Sequence, residues 1–281
     1  MTTGCKRIRR CAAALAASVT LTLFVLLPAS GLAQTRELTE QELRDAQHFA
    51  IGNTVWVLYH EIGHLLVDEF QIPVLGREED AVDHLATLIM LEPRSAELND
   101  FLVAAVDAFF LLSERSPAGA QSKIRYEHGL DKGRAYQLAC LMYGSSAETF
   151  GRFADAIGLP NERRQDCAFD YDRARTSWNR VLEPHRRSWW RGGSDQAVTV
   201  DHVPPEGPLR PAYETLKQTK VLEVAADYLN RNYAMKRSFV LRAQTCGSSN
   251  AVYDPGRGEI VICYELYEDF FRLLADHLAQ G

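Results

Sequence analysis

Two histidines four residues apart with a glutamate between them, His60-Glu61-Ile62-Gly63-His64, are the residues of this chain best suited to chemistry. In a helix, a four-residue separation puts both imidazoles on one face, one turn apart, where both can reach a single metal ion. Glu61 points to the same side and can take a proton from a water activated there. A catalytic zinc has three protein ligands and one open position, so a third ligand must come from another element. The run Arg77-Glu78-Glu79-Asp80-Ala81-Val82-Asp83 offers it. If this run is helical, Glu79 and Asp83 share a face, with Glu79 as metal ligand and Asp83 as acceptor for the free ring N–H of a ligating histidine. Glu78 and Asp80 read as solvated acids favoured by the helix dipole, with Glu78 the reserve ligand. The competing reading of the pentapeptide, a metal-free buried helical pair, would bury an ionised glutamate unpaired beside two histidines, which is costly.

These side chains need elements to hold them. Thr39-Glu40-Gln41-Glu42 is a capping box and starts a helix. Apolar residues at Ile51, Val55, Leu58, Ile62, Leu65 and Leu66 keep the helical period to Pro73, with Gly52-Asn53 as a point of bending. Further helices are expected over 78–91, 95–113, 130–143, 146–157 and 170–182. Residues 184–211 hold five prolines and a Gly-Gly pair and read as an irregular connection. Beyond it, 213–230 reads as helix, 238–244 and 259–263 as strands separated by the turn signal Asp254-Pro255-Gly256, and 264–278 as a last amphipathic helix. The fold class is therefore α+β, predominantly helical with a small sheet. Its organisation is a leader over 1–33, a helical metal-binding region over 34–183, the connection 184–211, and a helix-strand-strand-helix region over 212–281 that completes one catalytic domain.

The leader reads as an export signal. Lys6, Arg7, Arg9 and Arg10 form a basic start, an apolar run spans Cys11 to Leu27, and Gly31-Leu32-Ala33 is a small-x-small cleavage site. The expected mature chain starts near Gln34 and is periplasmic or secreted, with no stable membrane span; an uncleaved leader would instead anchor it. Without residues 1–33, 27 basic side chains face 37 acidic ones, a formal charge of −10, against −6 for the whole chain. That balance argues against a nucleic-acid partner, which needs a basic stripe. Four cysteines remain, Cys140, Cys167, Cys246 and Cys263, an even number that reads as two disulfides in an exported chain. Three pairings are possible, and sequence locality favours Cys140–Cys167 and Cys246–Cys263. No C-x-x-C spacing supports a structural Cys₄ zinc site.

H-E-x-x-H followed by E-x-x-x-D on a second helix resembles the gluzincin metallopeptidases of the thermolysin and neprilysin type. More of the chain resembles a bacterial metallopeptidase family of unknown function: His60 to His64, Leu75 to Asp83, Arg134 to Cys140, Tyr143-Gly144, Asn250 to Pro255 and Cys263 to Leu266. The resemblance implies a zincin-like domain with Zn²⁺ on His60, His64 and Glu79, and peptide or protein substrates. Asn250-Ala251-Val252-Tyr253 and Ile260-Val261-Ile262 are similar to the neprilysin-type strands that bind the substrate backbone, which implies substrate contacts at Asn250 and Ala251. In those enzymes this strand precedes H-E-x-x-H; here it follows, so the resemblance implies a circular permutation, with the C-terminal strands beside the metal helix. His128, with Arg134 six residues on, is similar to a neprilysin-type histidine that steadies the oxyanion and an arginine that holds the substrate or its neighbours. The residue before that arginine is Gly133, where the bacterial family has glutamine. A structural salt bridge is the alternative for Arg134, a backbone-satisfying turn residue for Asn250. The expected function is an exported zinc-dependent peptidase with Glu61 as general base. The alternative is a zinc-binding envelope or scaffold protein without turnover.

Overall fold

The computed structural model describes residues 36–115, 131–187 and 197–280, and Thr35–Gly281 forms one compact unit. Its axis is the 31-residue helix α1 (Glu40–Phe70). Thr39 caps it: the hydroxyl accepts from the Glu42 N–H, and the Glu42 carboxylate accepts from the Thr39 N–H at 2.8 Å. The helix runs through Gly52-Asn53 without interruption. A Cβ at position 52 would come within 2.8 Å of Phe101, so the glycine admits a neighbouring helix. Asn53 donates to the Phe49 and Ala104 carbonyls and ties the two helices together. Both residues act in packing, which outweighs their poor helix propensity. Gln71, in the left-handed region at φ 52°, ends α1 ahead of Pro73.

Helices α2 (Glu78–Leu91) and α3 (Ala96–Arg115) pack on α1. Helix α4 (Asp131–Ser145) packs on α2 and α3, followed by α5 (Ala147–Ala156) and α6 (Asn161–Leu182). The Cys140–Cys167 disulfide joins α4 to α6, and Cys246–Cys263 closes the C-terminal strands, the pairing that sequence locality favours.

The connection over 184–211 is not irregular throughout. It contains β1 (Val198–His202), which lies parallel to β2 (Phe239–Gln244) at one edge of a sheet ordered β1-β2-β4-β3. Its β-branched core, Val198-Thr199-Val200, was hidden among prolines. The expected helix over 213–230 is two helices, α7 (Arg210–Thr219) and α8 (Val221–Asn232), broken at Lys220, which takes φ 55°. Strand β4 (Glu259–Cys263) runs parallel to β2, β3 (Ala251–Asp254) is antiparallel to β4, and α9 (Tyr264–Gln280) closes the fold against α1. A continuous apolar core runs between α1, α2, α3, α4, α8, β2, β4 and α9. Strand β3 is the edge of the sheet and lies against α1. No helix among the described residues is long and apolar enough to cross a membrane.

Candidate metal centre and cleft

Three donor groups converge between α1 and α2. His60 Nε2 lies 3.2 Å from Glu79 Oε2, His64 Nε2 lies 3.5 Å from Glu79 Oε1, and the two Nε2 atoms are 3.3 Å apart. Ligands held about 2.0–2.1 Å from a tetrahedral metal stand roughly 3.3 Å from one another. The three separations thus fit a single divalent cation of zinc's size, and the donor set of two imidazoles and a carboxylate suits it chemically.

The opposite ring nitrogens are occupied by carboxylates. His60 Nδ1 lies 2.7 Å from Asp83 Oδ1 and His64 Nδ1 lies 2.8 Å from Glu78 Oε1. Such partners hold Nδ1 as the donor and leave the Nε2 lone pairs for a metal. Burial alone would lower the His60 imidazole, but the hydrogen bonds with Asp83 and Glu79 outweigh it and raise it to about 9. His64 is raised in the same way: burial opposes the charge, and the bonds to Glu79 and Glu78 prevail. Asp83 is fully buried; burial works against its charge, yet His60 and Arg134 hold it below the ordinary carboxylate range.

Sequence reasoning does not foresee one of these contacts. The sequence reads Glu78 as a solvated acid or reserve ligand, yet it is the partner of His64. The signal is there in principle: two histidines that ligate one metal need two Nδ1 acceptors, and the 77–83 run is rich in carboxylates. For Arg134 the alternative reading, a structural salt bridge, names the kind of contact, and the structure supplies its partner. Its guanidinium forks onto Asp83 at 2.7 and 2.8 Å and sits 4.5 Å from the centre of the Phe109 ring. It is buried and absent from the cleft wall, and its polar partner is Asp83, the salt bridge of the alternative reading. Glu127 and His128 lie outside the described residues.

The cleft, about 640 Å³, has His64 and Glu79 of the three donors in its wall, while His60 is buried. Glu61, His64, Asp68 and Gln71 line one wall along α1, Glu78 and Glu79 the end at α2, and Asn250 to Tyr253 the wall formed by β3. Glu61 Oε2 accepts the Tyr253 N–H at 2.8 Å. Asn250 and Asp254 turn their carbonyls toward β4 and the turn that leads into it, where the Cys263 and Gly258 N–H groups donate to them. By the alternation of an antiparallel ladder, Ala251 and Tyr253 therefore present their backbone groups to the opposite edge of β3, which pairs with no other strand among the described residues. The Asn250 side chain lines the cleft and makes no hydrogen bond among the described residues.

Fold and site together define a mainly helical α+β domain with an H-E-x-x-H helix and a carboxylate supplied by its neighbour. The chain matches a family described as "Putative metallopeptidase" over residues 17–182 and 205–280, and it belongs to that family. Neither a curated protein nor a solved structure matches it. The family description fits a peptidase that uses a metal ion, and the His60–His64–Glu79 group could hold one.

Proposed function

We propose that the protein is an exported zinc peptidase of the gluzincin kind, with His60, His64 and Glu79 as ligands and Glu61 as general base. The observation that carries this reading is the 3.2–3.5 Å spacing of the three donors at the end of a cleft whose wall includes Glu61 and a free strand edge. Bound zinc would supply Lewis-acid polarisation of the scissile carbonyl and a more acidic water. The protein's own groups do the rest. Asp83 and Glu78 fix the two histidines through Nδ1. The Tyr253 N–H holds the Glu61 carboxylate at the cleft wall, where it can take a proton from water and return it to the leaving amine nitrogen. Ala251, through its N–H and C=O, and the Tyr253 C=O can pair with an extended peptide added to β3, and the unbonded Asn250 amide can hold the same backbone. The basic start, apolar run and Gly31-Leu32-Ala33 site support export, and an N-terminus near Gln34 on the exported protein, read by N-terminal sequencing, is the expected result.

Elemental analysis and a peptide-library digest test the site. The wild type should carry one equivalent of zinc, and His64→Ala and Glu79→Ala should lose most of it. Glu61→Gln should retain zinc and lose about 10²–10⁴-fold in turnover, the usual worth of a general base. A Glu61→Gln protein that hydrolyses as fast as wild type would falsify the assignment of that base. A zinc-loaded wild type inert on every peptide would leave a binding protein instead.

A further inference from the structure

We propose that Arg237, acting with Asp68 and the Tyr253 hydroxyl, is a positioning residue that fixes the gap between α1 and the free edge of β3, and thereby the affinity for extended peptide; the inference rests on the peptidase reading above. Strand β3 has four residues, and the chain before it, from Thr245 to Asn250, is exposed. Ala251 and Tyr253 pack against the core and β3 pairs with β4, but Val252 is 44 % exposed and Ala251 only half-buried. Two further ties to α1 are polar. The Tyr253 N–H is on Glu61, and its hydroxyl donates to Asp68 Oδ2 at 2.7 Å. Glu61 and Asp68 lie seven residues apart on α1, about 10 Å along its axis. One tyrosine thus grips the metal helix at two points two turns apart.

Arg237 completes the clamp. Its Nη2 donates to the same Asp68 oxygen at 2.8 Å and lies 2.9 Å from the Tyr253 hydroxyl. Its Nη1 donates to the Pro255 carbonyl at 2.8 Å, in the turn that follows β3. Its backbone N–H and its Nε bond the buried Glu69, which also accepts from the Lys236 N–H. The guanidinium therefore joins α1, the side chain of β3 and the turn beyond it in one planar fork, a geometry that lysine cannot copy. Asp68, Tyr253 and Pro255 all line the cleft, so its width at that end is the length of this network. Strand addition requires the new strand about 4.7–4.9 Å from the edge, and the same peptide must also reach the donors on α1. A clamp that sets the distance between those two surfaces acts on peptide affinity before it acts on bond cleavage.

The test uses the mature, zinc-loaded protein with Tyr253→Phe and Arg237→Lys. The first keeps the ring against Phe239 and the backbone bond to Glu61 while removing only the hydroxyl; the second keeps the charge and loses the fork. Steady-state kinetics on a fluorogenic hexapeptide and anisotropy with a labelled hexapeptide are read together. Each variant should weaken hexapeptide binding and raise KM about tenfold, with kcat within threefold, as expected for lost bonds to a charged group. The double variant should be no worse than the poorer single one, since both act through one network. Unchanged KM and Kd, or a loss confined to kcat, overturns the proposal, as does an additive loss that merely tracks a fall in Tm. If the wild type cleaves nothing, the peptidase reading fails on its own. Anisotropy then decides the clamp: tenfold weaker binding in the variants sustains it, and equal binding or none at all removes it.

Discussion

At the scale of single residues, the chain His60–Asp83–Arg134 explains how a charged site is built inside a core. Asp83 is fully buried and would be costly alone. It receives two bonds from Arg134 and shares one with His60, so its charge is compensated while it still orients the imidazole. Arg134→Met should therefore do two things. It should destabilise the metal-free protein by about 3–5 kcal/mol, the usual result of breaking a buried pair, measured by urea unfolding. It should also weaken zinc about 10–100-fold in a competition titration, because Asp83 then loses its fixed orientation toward His60. A surface-type effect, below about 1 kcal/mol, would contradict the burial argument. The convergence of His60, His64 and Glu79 and the Asp83–His60 contact were legible from spacing alone, since four-residue separations on two helices leave little freedom. The Glu78–His64 bond and the Arg134 fork were not, because they depend on how α2 and α4 are rotated against α1, which no local pattern encodes.

At the scale of elements, what brings Glu79 and Asp83 to the histidines is the close approach of α2 to α1. Gly63, inside the metal pentapeptide, makes it possible: a Cβ there would lie 2.7 Å from Val82 Cβ and 3.0 Å from its Cγ1. Two effects oppose each other in Gly63→Ala. Alanine favours a helix over glycine by about 1 kcal/mol. Overpacking at a buried contact costs about 1–3 kcal/mol. The second should win, and because the strain pushes α2 outward, zinc affinity should fall with stability. Gly151→Ala, in α5 with nothing near the added carbon, should instead gain up to about 1 kcal/mol and leave zinc binding alone. Calorimetry on both variants, and on Gly63→Ala with Val82→Ala, checks the sign; the double variant should recover much of the loss. Element boundaries followed the same divide. The 78–91 helix could be read from its acidic start and the stop ahead of Pro93, and the 259–263 strand from its composition. Strand β1 could not, since an edge strand of five residues among prolines acquires its identity only by pairing with β2. The break at Lys220 also has no sequence signal, because lysine does not favour the left-handed region it occupies there.

At the scale of the whole molecule, α1 is shared by everything: α2 supplies the third donor, α3 and α9 bury its other faces, and β3 forms the far wall of the cleft. A cation bound between α1 and α2 binds only the folded chain, so stability and metal are linked. At free zinc about 100 times Kd, linkage adds about 2.7 kcal/mol. For a unit of this size that is a rise of roughly 5–10 °C in Tm, reversed by chelator. The size of that rise depends on pH, and its direction follows from His60. Without metal its imidazole is raised to about 9, above its ordinary value, by the bonds with Asp83 and Glu79 that outweigh burial. A raised histidine stabilises the fold fully below the ordinary histidine range, near 6.5, and this contribution is lost as pH climbs through about 9. The metal-free protein should therefore lose stability between about pH 6.5 and 9. Zinc competes with the same proton, so its affinity should rise over that interval and binding should release protons. Both trends widen the gap between metal-loaded and metal-free Tm as pH increases from 6.5 to 9. Paired thermal scans across that range, with and without chelator, read it directly. A gap that narrows toward pH 9 would show that His60 holds no proton for the metal to displace, and the hydrogen-bonded pair with Asp83 would need a different account.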